Sequence, residues 1–185
     1  MSRQADRPSP AATRPGADAP SPAITRPAAA TALVAVLFLQ AAGGLGGGAA
    51  LIASPKGGII KLPLSDLAGS PFHDFLIPGV ILFVVLGLAP LLVAWALLRR
   101  PPVALLEAVN PFRRQYWAWT AAGAIGCGLL IWIGVEVTII PFSALQPFYA
   151  AVGLGIIALT LARPVREFFR RQVDVGALPR TGIVG

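Results

Sequence analysis

Four long apolar runs, Thr31–Ala53, Phe75–Leu98, Trp117–Ile140 and Ala144–Ala162, hold a single carboxylate between them, Glu136. A helix rises about 1.5 Å per residue, so about 20 residues cross a hydrocarbon core of about 30 Å. Each run is near or above that length. Membrane-spanning β-strands are shorter and alternate in polarity, and these runs do not. The expected fold class is therefore all-α, a polytopic membrane protein built as a bundle of four transmembrane helices. Composition leads the same way. Of 185 residues 56% are apolar and 12% charged, with a mean hydropathy of +0.74. Soluble domains carry about 25% charged residues, so this chain has too few to coat a surface facing water.

The runs divide the chain into three parts. Residues 1–28 are rich in Pro, Ala, Arg and Asp without an apolar period. Such a segment cannot bury enough surface to offset its ordering entropy, and a disordered tail is expected. Residues 29–163 form the transmembrane domain, and 164–185 a basic C-terminal segment. The first run stays uncharged from Thr31 to Ala53, well beyond the roughly 7–15-residue apolar core of a cleaved signal peptide, and reads as a retained span.

The net charge of +7 is clustered beside the spans. Arg26, Arg99, Arg100, Arg113, Arg114, Arg163, Arg166, Arg170 and Arg171 fall on one side of the predicted topology. Only Lys56 and Lys61 fall on the other. By the bias of Lys and Arg toward the cytoplasm, both termini are expected there, in a bacterial inner membrane. The clusters suit anionic lipid headgroups, and no aromatic-basic interleaving outside the spans suggests nucleic acid. Pro101 and Pro102 followed by VALLEAV predict a short interfacial helix in the inner loop.

Small residues mark packing faces. Gly43 with Gly47, and Gly44 with Gly48, lie at four-residue spacing and allow close approach of helix backbones, within the bundle or between copies or partners. Gly123 with Cys127, and Gly153 with Gly155, extend the pattern. A phosphate-binding loop is excluded there, since no Lys follows and no strand precedes. Pro90 should kink the second span, freeing a carbonyl that a neighbouring helix can satisfy.

Candidate chemistry is sparse. One cysteine, Cys127, and one histidine, His73, leave no cysteine cluster, multi-histidine metal site or paired haem ligands, and no cofactor is expected. Intramembrane carboxylates are functional candidates because a charge in lipid costs several kcal/mol. Glu136 sits near the outer end of the third run, where a pair with Lys56, Lys61 or His73 is one reading and a proton- or ligand-binding role the other. Trp132 is one turn deeper on the same face. Gln146 and Tyr149 open the fourth run. His73 and Asp74 open the second, where Ser70 suits an N-cap, Pro71 the first helical position and Asp74 the positive end of the helix dipole. These six residues share one depth band and form a candidate polar cluster. Ser65, Ser70 and Ser143 lie in no nucleophile motif.

The patterns SPFHDFLIPG, LLIWIGVEVTII and SALQPFYAAVGLGI resemble an uncharacterised family of small bacterial four-helix integral membrane proteins. The resemblance covers residues 31–163 and implies a four-span inner-membrane protein. It lends no activity, substrate or catalytic residue. Three functions fit: a non-enzymatic structural, accessory or assembly component; a small transporter or proton-linked carrier using Glu136 and His73; and, least supported, an enzyme acting on a lipid or quinone.

Overall fold

The first apolar run becomes one uninterrupted helix, α1 (Ala28–Ala53), in a computed structural model that describes residues 25–139 and 141–170. Most of the expected N-terminal tail, and residues 171–185 of the basic segment, lie outside the described residues. Pro27 stands at the N-cap of α1, where a missing backbone N–H costs nothing.

The second run is divided. It contains α2 (Leu76–Phe83), a π-helical turn (Val84–Leu88) and α3 (Ala89–Arg99). The physical cause is Pro90. In an α-helix the carbonyl of residue 86 accepts from the N–H of residue 90, and proline has none. The chain takes up a π-turn just before the proline, a common accommodation of a broken ladder. The expected kink thus takes the form of a widened turn. α3 ends at Arg100 in the left-handed region (φ 51°), immediately before Pro101 and Pro102, which cannot continue the helix.

A short helix, α4 (Ala104–Ala108), occupies the VALLEAV segment and leaves Leu105, Val109 and Phe112 exposed. Then come α5 (Trp117–Ile139), α6 (Leu145–Leu161) and α7 (Arg163–Phe168). Three segments, Ala28–Ala53, Leu76–Arg99 and Trp117–Ile139, are long and apolar enough to cross a membrane. α6 is apolar but shorter, at 17 residues. The outer surfaces of these helices carry large apolar side chains. Ile131 is 69% exposed, Leu154 59% and Leu92 54%. In water that would be an extensive apolar patch; in lipid it is the expected exterior.

α1 meets the second span backbone to backbone. A Cβ on Gly44 would fall on the Leu86 carbonyl, one on Gly48 would lie 2.6 Å from Phe83 N, and one on Gly87 2.7 Å from Leu45 N. Gly79 completes the seam, its Cβ position lying 2.7 Å from that of Leu51. Gly43 faces the Tyr149 ring and Gly47 the end of Leu82. Of the four glycines of the expected packing face, Gly44 and Gly48 meet backbone of the second span, while Gly43 and Gly47 meet side chains. The second glycine pattern needs correction. Gly155 has open space around it and Cys127 is exposed, whereas Gly126 and Gly153 bring α5 and α6 together, a Cβ on Gly126 lying 3.0 Å from Gly153 O. Trp119 Nε1, near the start of α5, donates to Thr160 O near the end of α6 at 2.8 Å. The two helices are therefore antiparallel over nearly the whole of α6.

The packed domain also extends beyond residue 163. Val165 is fully buried and Phe169 nearly so, within the same apolar core as Ala30, Leu97 and Ala118. Tyr116 N donates to Phe169 O at 3.0 Å, and Gln115 and Arg170 form an isolated antiparallel bridge. Arg100 donates to Phe168 O at 3.2 Å and lies 4.2 Å above the Phe168 ring. At this end Tyr116 Oη donates to Pro101 O at 2.9 Å, and burial pushes its phenol above the ordinary range. The basic segment expected to start at residue 164 therefore begins as part of the fold.

Candidate functional site

Polar groups inside a membrane bundle need partners, because lipid supplies none. Those near the end of the bundle where α1 stops and α2 starts fall into two places. The first is a cavity of about 350 Å³ bounded by α1, the second span, α5, the start of α6 and the loop between residues 54 and 75. Its inner end holds Gln40, Leu86 and Leu129, and its outer rim Ile60, Leu62, Ser70 and Leu145. Gln40 is 13 residues before the end of α1, so the cavity reaches about 20 Å inward from that end at 1.5 Å per residue. Gly43, Gly44 and Gly47 lie along its wall; the Cβ positions of Gly43 and Gly44 are taken by Tyr149 and the Leu86 backbone, and Gly47 alone leaves room, meeting only the end of Leu82.

Trp132, Glu136 and Tyr149 line this cavity together. Trp132 Nε1 donates to Glu136 Oε2 at 3.1 Å. This bond joins successive turns of α5, which orients the carboxyl and fixes the indole plane. Lys56, Lys61 and His73, the partners expected for Glu136, do not line the cavity.

His73 and Asp74 sit elsewhere, in a shallow surface pocket with Ser54, Lys56 and Leu64. His73 is exposed. Asp74 Oδ1 accepts from Leu76 N at 3.0 Å, so the aspartate caps the start of α2. The predicted N-cap, Ser70, is six residues before that start; its Oγ accepts from Phe72 N at 3.2 Å and shapes the preceding turn. Gln146 is buried and its Oε1 accepts from Ser143 N at 3.3 Å, at the head of α6. The six-residue cluster expected from depth alone is therefore divided: three members share the cavity, and three serve helix starts and the surface.

The residue missed in the sequence is Gln40. It is 1% exposed, and its Nε2 donates to Leu86 O at 3.0 Å, the carbonyl left without its α-helical donor by Pro90. Its Oε1 has no hydrogen-bond partner. The signal was available: Gln40 is the only amide in the first run, and an uncharged polar residue at mid-span is commonly an interhelical bond.

The lining is otherwise almost wholly apolar. A cavity of this size is within the roughly 300–1,000 Å³ range of small-molecule sites, which combine apolar walls with a few placed polar groups. Covalent catalysis would need a nucleophile beside a base. Of the two hydroxyls that line the cavity, Ser70 Oγ accepts from Phe72 N in its own turn and that of Tyr149 packs against Gly43. Among the described residues no three His, Cys, Asp or Glu side chains come together as a metal set. No family model, curated protein or solved structure matches this chain.

Proposed function

We propose that this is a four-span bacterial inner-membrane protein, both termini cytoplasmic, that works without catalysis by holding an apolar ligand within the outer half of its bundle. The carrying observation is the 350 Å³ cavity, bounded by three apolar helices and α6 and furnished with only a few polar groups. An accessory or assembly role suits such a site, since binding there couples a membrane-dissolved molecule to the packing of the bundle. The fourth span is supported by α6, which at about 1.5 Å per residue is about 25 Å long and returns to the level of Trp119. Gly128, Gly134 and Gly155 leave open grooves on the outside of α5 and α6, the places where a protein partner or second copy would approach.

Gly47 supplies the test of the cavity. A Cβ there meets only the end of Leu82, at 3.2 Å, so a longer side chain can enter the space. A brominated alkane in the bilayer is expected to quench Trp132 fluorescence, measured as the quench lost in Trp132→Phe. Gly47→Met displaces about two methylenes of ligand, worth about 1.6 kcal/mol, so binding should weaken about tenfold. Equal quenching of Trp132 in both proteins would remove the cavity from the function. Topology is checked separately: a reporter fused after Gly185 should read cytoplasmic, and a periplasmic signal would reverse the assignment.

A further inference from the structure

Gln40 has two polar ends with different fates. Its amide nitrogen is committed to Leu86 O at 3.0 Å, across the closest approach of α1 to the second span. That bond fixes which end is which, because a carbonyl can only accept. The oxygen is left over: Oε1 is buried and has no partner. A buried acceptor without a donor costs about 1–3 kcal/mol, and folded proteins retain few of them. This one belongs to a side chain lining the inner end of the cavity, where the neighbours are Leu86 and Leu129. None of those neighbours carries a side-chain donor. The Tyr149 hydroxyl lines the same cavity against Gly43 but makes no hydrogen bond to Oε1, and Trp132 Nε1 is held by Glu136.

We infer that the cavity takes a hydrocarbon ligand bearing a hydroxyl, which enters head first and donates to Gln40 Oε1 at the inner end. The inference rests on the ligand-holding reading above and names the chemistry that reading leaves open. A hydroxyl is the fitting head group. It supplies the missing donor, it carries no charge into the middle of the bilayer, and it is small enough for an inner end walled by leucine and glycine. An ammonium would meet no carboxylate at that depth, since Glu136 is held nearer the outer end. A carboxylate or phosphate would face an acceptor with another acceptor.

Two probes of the same chain length separate this inference from its premise: a brominated long-chain alcohol and the matching bromoalkane, each titrated into bilayers holding the full chain. Quenching of Trp132, isolated with Trp132→Phe, reports occupancy. The alcohol should bind about fivefold to tenfold more tightly, the value of one hydrogen bond in a dry site. Gln40→Met should abolish the preference but also strands the Leu86 carbonyl. The decisive protein is therefore Gln40→Met with Pro90→Ala, in which residue 90 regains an N–H for that carbonyl. In it both probes should bind alike, at the affinity of the alkane. A preference that persists in the double variant, or equal binding of the two probes to the wild-type chain, overturns the hydroxyl assignment while leaving the cavity in place. If neither probe reaches Trp132, the ligand-holding reading itself falls.

Discussion

Gly44→Leu is expected to prevent the bundle from closing, whereas Gly46→Leu two residues away is expected to leave it intact. At Gly44 the space for a Cβ is already filled by the backbone of Leu86, and the amide of Gly87 is 2.6 Å from it. Backbone cannot rotate aside as a side-chain tip can. The helices must separate, and that separation also parts Gly48 from Phe83 and Gly79 from Leu51. Overpacking a tight core costs about 1–3 kcal/mol and occasionally more. Here the whole α1 seam shares the strain, so the upper end of that range is expected. Gly46 has nothing near its Cβ position and is exposed, so leucine there adds only lipid contact. Its effect should stay within about 0.5 kcal/mol. Unfolding titration in mixed detergent micelles, followed by helix content and by proteolysis, measures both. A Gly44→Leu protein as stable as wild type would mean that the seam between α1 and the second span is not the closure of the fold.

The second large effect concerns the π-turn. Gln40→Met keeps length and apolar volume but removes the donor to Leu86 O. A stranded carbonyl costs about 1–3 kcal/mol in a dry interior, and side-chain bonds between membrane helices average about 0.6 with a maximum near 1.7 kcal/mol. A loss of about 1–2 kcal/mol is expected. Pro90→Ala offers the carbonyl a backbone N–H in its place, at the cost of a small void where the buried ring stood. In that background Gln40→Met should cost much less than it does alone. The coupling between the two substitutions, read from a double-mutant cycle in the same titration, should be about 1 kcal/mol. Strict additivity would show that the amide bond and the proline are independent, and that the π-turn has another cause.

Much of the architecture could be read from length and polarity. The starts and stops of α1, α5 and α6 fall within a few residues of the apolar runs, because hydropathy over 20 residues is a strong signal. The site was harder to read, since depth in the membrane is legible in a sequence and azimuth around a helix is much less so. By sequence Glu136, His73 and Asp74 belong at one level, whereas one lines the cavity and two line the surface pocket. Ser70 and Pro71 imitate a helix start, but the chain spends four more residues in a loop before Leu76. The apolar segment after Arg163 hid its role because its arginines dominate composition, while Val165 and Phe169 carry the packing. Gln40 was passed over because an amide without charge barely lowers the hydropathy of its run. Its meaning depends on Pro90, which is 50 residues away and becomes its neighbour only when α1 meets the second span.

The placement of Phe169 has a bearing on the order in which the protein is made. Ala30 and Leu33, among the first residues of α1, are fully buried in the same core as Val165 and Phe169, which are synthesised well over a hundred residues later. At about 5–20 residues per second of translation, that interval is of the order of ten seconds. For all of it the Arg-rich end of the first helix waits in the bilayer without its last neighbours. The opposite end can zip up earlier, as soon as the glycine seam with the second span has emerged. Assembly thus has a built-in direction: the glycine seam can form first, the cavity closes when α5 and the start of α6 have joined it, and the Arg-rich end packs last.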